Sequence, residues 1–349
     1  MVIIMASIRD VAKKAGVSTS TVSVVLNNGD KFVSDAHRKK VLEAVGELGY
    51  SLPPKKRFSK NTIAVILPIV TSSFFSNVLN GIEGAISPDD NLLLFYNSNY
   101  NFEKEKVCLQ TLKKQNLAGV ILDSVCPLEQ EDEYLKVLNK EFIDKGIPIV
   151  MLERNRQMLN LHSVYINNFQ GAYRATQHLI EKGHKRIAHI TGNEKMLHSQ
   201  ERLEGYKKAL EDYGLVYDSE LVYRGDFTPY SGYIALKELL KLGRNFTALF
   251  SANDQMAIGA MKALKNSGFH IPKDVAIVGF DDLSVSSLIE PALTTIHVPT
   301  YQMGRVAAKI ILDCTKGKSS AQNNELETNL VIRRSSDETA TNEWELFGW

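Results

Sequence analysis

Three polar pairs stand directly behind short apolar runs. Asp281 and Asp282 follow Val275-Ala276-Ile277-Val278-Gly279-Phe280, Asn253 and Asp254 follow Leu249-Phe250-Ser251, and Glu153 and Arg154 follow Ile149-Val150-Met151-Leu152. Carboxylates and amides at the ends of strands can accept from and donate to the vicinal hydroxyls of a sugar. Each can equally cap the next helix or enter a salt bridge. A second concentration is of hydroxyls: Ser18, Thr19, Ser20, Thr21 and Ser23 crowd the start of one short helical pattern. Small side chains there allow a helix to approach a DNA groove closely, and the helix end can anchor a phosphate. Ser18 is the expected cap, Thr19 and Ser20 the residues that meet base edges, and Thr21, Ser23 and Asn27 those that fix the backbone. Hydroxyls lack the bidentate pairings of Arg or Asn, so their specificity is modest.

The elements that must hold these groups follow from periodicity. Ile8, Val11, Ala12 and Ala15 share one helical face, Ser7 precedes them as a cap, and Gly16 stops the helix. A second helix from Thr19 to about Leu26 turns Val22, Val25 and Leu26 inward. A third begins after Ser34, carries Val41, Leu42, Val45 and Leu48, and ends at Gly49. Two short helices parted by a few residues, one of them glycine, read as a helix-turn-helix. From residue 61 onward, short apolar runs alternate with longer amphipathic stretches. Strands are expected at Ile63–Leu67, Leu92–Tyr96, Gly119–Leu122, Pro148–Leu152, Ser163–Ile166, Arg186–Ile190, Leu221–Tyr223, Ala248–Ser251 and Ala276–Phe280. The fold class is α/β: parallel sheets covered by helices on both faces, in two lobes, with ligands met beyond the C-terminal ends of strands.

Composition agrees with that division. Residues 1–60 hold eleven Lys and Arg against five Asp and Glu, an excess of six positive charges. The whole 349-residue chain carries only +1, which leaves −5 for the other 289 residues. Only the front end is suited to a polyanion. Cys108, Cys126 and Cys314 are odd in number and far apart, which argues against a disulfide scaffold or a zinc site and fits a reducing compartment. The opening apolar run lacks the length and basic flank of a signal peptide, and no later run approaches a membrane span, so a cytoplasmic location is expected. No nucleophile elbow, dinucleotide fingerprint, P-loop or zinc-protease motif is present. Asp281 and Glu153 could pair as glycosidase carboxylates, but the basic helix-turn-helix has no place in that account. We expect neither an enzyme nor a cofactor.

The run SIRDVAKKAGVSTSTVSVVLNNGDKFVSDAHRKKVLEAVGELGY, residues 7–50, resembles the DNA-binding headpiece of the LacI/GalR family of bacterial transcriptional regulators. SQERLEGYKKAL (199–210), SANDQMAIGAMKAL (251–264) and VGFDDLSVSSLIEPALTTI (278–296) resemble that family's signatures further along, and the likeness extends to about Ser335. It implies a periplasmic-binding-protein-like body that takes up an effector, with a sugar the expected one, and a homodimer or tetramer on a near-palindromic operator. It adds Val24 to the base-reading positions, where arginine is common; valine can touch only a thymine methyl. It implies effector contacts at Arg202 and Asp281, which form a complementary pair. Asn253, Glu153 and two aromatic walls, Phe75 and Phe227, complete the implied set. The implied domains are a headpiece at 1–50, a linker at 51–61, a body at 62–335 and a tail at 336–349. Within the body, an N-lobe of about 61–165 plus 299–330 faces a C-lobe of about 166–296, and a late strand near Leu326–Ile332 returns to the N-lobe.

At the junction the family pattern breaks. Members usually continue with Pro-Asn and an Ala-Arg-x-Leu hinge helix whose leucine enters the minor groove. Here Pro53-Pro54-Lys55-Lys56-Arg57-Phe58 stands instead, and the segment is about one helical turn shorter. Either Phe58 or Leu52 acts as a shortened wedge, or the segment is an extended basic linker; the geometry favours the linker. In both readings Lys55, Lys56 and Arg57 lie along phosphates. Apolar stripes at Val78–Ile86 and at Met256, Ile258, Met261 and Leu264 are candidate dimer surfaces, in competition with burial inside each lobe. The expected function is a repressor controlled by a sugar or glycoside. A regulator whose DNA affinity is raised by a small molecule or a phosphocarrier protein is the alternative, and a sugar-binding module without a DNA role is a minor one.

Overall fold

The computed structural model describes residues 6–26, 32–50, 62–86, 91–154, 161–243, 245–318 and 323–341. They divide into two compact units, within residues 1–57 and 58–349. The first unit contains α1 (Ile8–Ala15), α2 (Thr19–Leu26) and α3 (Asp35–Leu48). The start of α1 is a reciprocal capping box: the Ser7 hydroxyl accepts from the Asp10 amide at 3.4 Å, and the Asp10 carboxylate accepts from the Ser7 amide at 2.8 Å. Gly16 ends α1 at φ +66°, a left-handed conformation that releases the chain into the turn before α2. Ser18 then accepts from the Thr21 amide at 3.1 Å, and Ser34 caps α3. Val11, Ala12, Ala15, Val22, Val25, Val41 and Ala44 form the core, with Val17 and Leu26 packed at its edge. So small a core makes the caps matter to its stability.

The second unit alternates strands and helices in two lobes. In chain order it runs β1 (Thr62–Leu67), α4 (Ser73–Ala85), β2 (Leu92–Asn97), α5 (Phe102–Leu112), β3 (Gly119–Leu122), α6 (Glu131–Glu141), β4 (Ile149–Leu152) and β5 (His162–Ile166). There follow α7 (Asn168–Glu181), β6 (Ile187–Thr191), α8 (Leu197–Asp212), β7 (Val222–Arg224), α9 (Pro229–Lys241), β8 (Ala248–Ser251), α10 (Asp254–Asn266) and β9 (Ala276–Asp281). Last come α11 (Ser284–Leu288), β10 (Thr294–His297), α12 (Thr300–Thr315), β11 (Asn323–Leu326) and β12 (Asn329–Val331). One six-stranded sheet has the order β11-β5-β4-β3-β1-β2, the other β12-β10-β9-β8-β6-β7. All pairs are parallel except β10 with β12. The central strands are apolar throughout because helices cover both faces.

The end of the chain departs from expectation. The anticipated single strand near Leu326–Ile332 is broken at Glu327 and Thr328, whose carbonyl accepts from Arg174 at 2.8 Å. The part before the break, β11, joins the first sheet beside β5, whereas β12 crosses to the second sheet beside β10. The body also continues past residue 335. Ser336 bonds the His178 ring at 2.8 Å and Asp337 pairs with Lys182, so the first residues of the expected tail belong to the second lobe. Residues 342–349, with both tryptophans, lie outside the described residues.

The apolar stripes offered as dimer surfaces are used inside the lobes. Val78 and Ile82 are fully buried in the first, and Met256, Met261 and Leu264 in the second. Helix α4 crosses α12 so closely that a Cβ on Gly304 would stand 2.0 Å from the Val78 carbonyl oxygen. Gly46, in α3, has nothing within 4 Å of its place for a Cβ. Gly304→Ala should therefore destabilise the body by about 1–3 kcal/mol through forced helix separation. Gly46→Ala should stabilise the first unit by about 0.5–1 kcal/mol. Denaturant melts of the two variants check both signs.

Candidate functional site

Helix α2 presents its hydroxyls unevenly. Val22 and Val25 are buried beneath it, while Thr19 and Ser20 are exposed and Thr21, Ser23 and Val24 are half-buried. The Ser18 hydroxyl is committed locally: it caps the helix and lies 2.6 Å from the Ser20 and 2.8 Å from the Thr21 hydroxyl. Arg9, Lys13, Lys14, Lys39 and Lys40 are exposed on the same unit, with Lys14 paired to Glu47. Asn27, Lys55, Lys56 and Arg57 lie outside the described residues.

In the second unit a cleft open to solvent is lined by both lobes. A cleft of this kind is where a small ligand usually binds. Phe75, Glu153, Arg202, Phe227, Asn253 and Asp281 all line it. Six non-glycine residues among those described have positive φ: Asn99, Tyr100, Glu153, Phe227, Asp281 and Asp282. Four of them line the cleft and the other two are their chain neighbours. Such conformations cost roughly 1–3 kcal/mol each and collect where a site needs side chains aimed against backbone preference.

Arg202, on α8, is the centre of the base. Its Nε donates to Asn168 Oδ1 at 2.9 Å, its Nη1 donates to the Ala252 carbonyl at 2.5 Å, and Nη1 lies 3.5 Å from Asp281 Oδ1. The guanidinium also stacks 3.7 Å above the Phe280 ring. Asn168, first residue of α7, hydrogen-bonds Glu153 as well, so one amide joins the arginine of one lobe to a carboxylate of the other. Glu153 Oε1 is buried without a partner. Burial, partly offset by Arg202, raises Glu153 to about 7. Burial likewise holds Asp281 well above the ordinary carboxylate range, against the pull of Arg202.

The remaining expected residues have narrower tasks. Asn253 caps α10 by accepting from the Met256 amide at 2.9 Å and donates to the Phe227 carbonyl at 3.1 Å, so it positions the strained Phe227. Phe227 packs obliquely on the His198 ring with centroids 5.2 Å apart. Phe75 is largely core, edge-on to Phe74 at 5.0 Å, with one side on the cleft.

Sequence reasoning missed Tyr100, Asp123, Asn168 and His198. Asp123 directly follows β3, as Glu153 follows β4, so the strand-end rule would have found it. Asn168 follows β5 by two residues. Behind Asp123 the chain is fixed by buried charges. Glu105 accepts from the Ser124 hydroxyl at 2.6 Å, the Val125 amide at 2.8 Å and the Tyr134 hydroxyl at 2.5 Å. Arg154 pairs with Glu131 and donates to the carbonyls of Ser124 at 3.0 Å and Cys126 at 2.7 Å. It therefore builds the cleft wall rather than facing the ligand.

Residues 7–52 match the model of bacterial regulatory proteins of the lacI family, and residues 176–336 match a periplasmic binding protein-like domain. The HTH-type transcriptional repressor CytR of Escherichia coli (strain K12) is 36% identical over 337 residues, spanning 95% of this chain and 96% of the relative. The chain belongs to the lacI family of bacterial regulatory proteins. The structure of a transcriptional regulator CelR–cellobiose complex is 34% identical with TM-score 0.71, covering 95% of this chain and all of that one. The lac repressor dimer bound to operator and the anti-inducer ONPF is 28% identical with TM-score 0.70, covering 95% and 99%. This lacI-family protein is thus a sequence-specific DNA-binding regulator with an effector-binding domain, and not an enzyme. Among the described residues no helix is long and apolar enough to cross a membrane.

The raised Glu153 has a consequence for the lacI-family body. Its folded form binds a proton that the unfolded chain releases above the usual glutamate range, so this residue lowers stability as pH rises from about 4.5 to about 7. Glu153→Gln should open a melting-temperature advantage over the parent that grows across that window and is constant above it. Melts from pH 4.5 to 8 check it.

Proposed function

We propose that this regulator is a repressor, working as a homodimer, whose operator affinity is controlled by a sugar or glycoside held between the two lobes of its body. The observation that carries the reading is the cleft base: buried carboxylates of both lobes, one oxygen of Glu153 left without a partner, gathered around Arg202 between aromatic walls. Buried polar atoms without partners are costly, and of those among the described residues Glu153 Oε1 is the one in the lining of the cleft, where a ligand can supply the missing donor. Sugar hydroxyls do so in pairs, and the apolar C–H face of a pyranose suits Phe227. The cellobiose held by the related CelR structure supports a sugar, and the dimeric lac repressor on its operator supports two headpieces acting together.

The ligand must bind one arrangement of the lobes better than another for operator occupancy to change. In the headpiece, Thr19 and Ser20 read base edges, Val24 meets a thymine methyl, and Ser18, Thr21 and Ser23 fix the helix and the backbone. The exposed lysines supply salt-dependent affinity.

A thermal-shift screen of the purified chain against mono- and disaccharides, followed by operator titration with and without the hit, tests the reading. The sign of the operator response separates an inducer from a corepressor. A saturating sugar at about 100 times its Kd should stabilise the parent by about 2.7 kcal/mol. Arg202→Ala and Asp281→Ala should each abolish that shift and the operator response. Thr19→Ala with Ser20→Ala should cost about 1–3 kcal/mol per lost contact on the specific operator and leave non-specific binding at low salt intact. A double variant with unchanged operator preference would refute α2 as the reading helix.

A further inference from the structure

Acidic side chains outnumber basic ones in the lining of the cleft. Four carboxylates line it, Asp123 and Glu153 from the first lobe and Asp226 and Asp281 from the second, against one guanidinium, Arg202. His198 does not redress this, because burial and the nearby Arg202 and Arg154 keep its imidazole neutral. Arg154 is consumed by Glu131 and two backbone carbonyls, and Arg202 by Asn168, Ala252 and Asp281. Asp226 accepts from the Thr228 amide at 2.9 Å and the Thr228 hydroxyl at 2.6 Å. Two acids remain without a salt bridge among the described residues, Asp123 and Glu153, each only 7% exposed, and Arg154 and Arg202 act on them only through space. Asp123 makes no side-chain hydrogen bond among the described residues, and Glu153 Oε1 has no partner. The two lie close enough that the Glu153 charge raises the cost of ionising Asp123.

We propose that the effector carries a free ammonium group: the cleft selects an amino sugar over its neutral counterpart, with the nitrogen seated between Asp123 and Glu153. The inference rests on the sugar reading above and narrows it. A hydroxyl offers one proton and no charge, and leaves burial to hold both acids above the ordinary carboxylate range. An ammonium offers three donors and a full positive charge, which satisfies Glu153 Oε1 and the Asp123 carboxylate together. The same group relieves the repulsion of Glu153 toward Asp281 of the other lobe, so its binding favours approach of the lobes. Either a monosaccharide or a unit of a disaccharide can supply the ammonium.

Isothermal titration with the full-length chain at neutral pH decides the matter. The probes are D-glucosamine against D-glucose, and the β-1,4-linked glucosamine disaccharide against cellobiose, with N-acetyl-D-glucosamine as the uncharged amide control. In at least one pair the amine should bind about tenfold more tightly or better. N-acetylation should erase the preference, and Asp123→Asn should reduce the ratio below about threefold. Glu153→Gln should act in the same direction and serves if the first variant does not fold. Equal or tighter binding of the neutral sugar or the N-acetyl control overturns the inference and leaves the sugar-controlled repressor standing. A preference that survives both variants places the ammonium elsewhere and also overturns it. Should no probe of either series bind or move operator affinity, the sugar reading falls and takes the inference with it.

Discussion

The base of the cleft is organised around a buried cation, Arg202. Arg202 is almost sealed from water, and its guanidinium is held by an amide, a carbonyl, a carboxylate and an aromatic face. A charge so placed is tolerable because hydrogen bonds, a carboxylate and a ring face surround it. Each partner also comes from a different stretch of chain: Asn168 from the start of α7, Ala252 from the end of β8, Asp281 from the end of β9. Fixing the arginine therefore fixes the relative heights of three segments that border the cleft. Asp281 is held in a backbone conformation that side chains avoid, and this arrangement is what makes that conformation affordable.

The two units are stabilised by different means. The first has a core of seven small or medium side chains and depends on caps at Ser7, Ser18 and Ser34 to satisfy helix ends that packing cannot cover. The second buries two six-stranded sheets beneath their covering helices. The charge division follows the same line. The positive excess sits where a polyanion must be met, and the negative balance sits with the unit that holds the acid-lined site.

Much of this was legible in the chain. Glu153 and Asp281 stood out because a polar residue immediately after an apolar run has only the strand's end to occupy, and that is where the cleft lies. Arg202, Phe75 and Phe227 had no such local mark and came from resemblance alone. Asp123 carried the mark but was passed over. Asn168, which links the lobes through Arg202 and Glu153, looks in sequence like one more strand-end amide. Periodicity failed in a different way at Val78, Ile82 and Met261. It reports that a helix face is apolar, not whether the chain's own neighbour or a second copy covers it. The splitting of β11 from β12 was hidden because two residues between short strands give no sign of a change of sheet.

That split has a mechanical consequence. The chain passes between lobes after β5, after β10 and between β11 and β12, and these passages lie along one edge, since β11 neighbours β5 and β12 neighbours β10. Three strings tied side by side behave like knuckles on a door: they permit swinging about their common line and resist sliding and torsion. Val298, in one of these strings, donates its amide to the Asp281 carbonyl at 3.3 Å. The pivot and the floor of the cleft are therefore neighbours, and a small displacement at that floor is magnified at the far rims of both lobes.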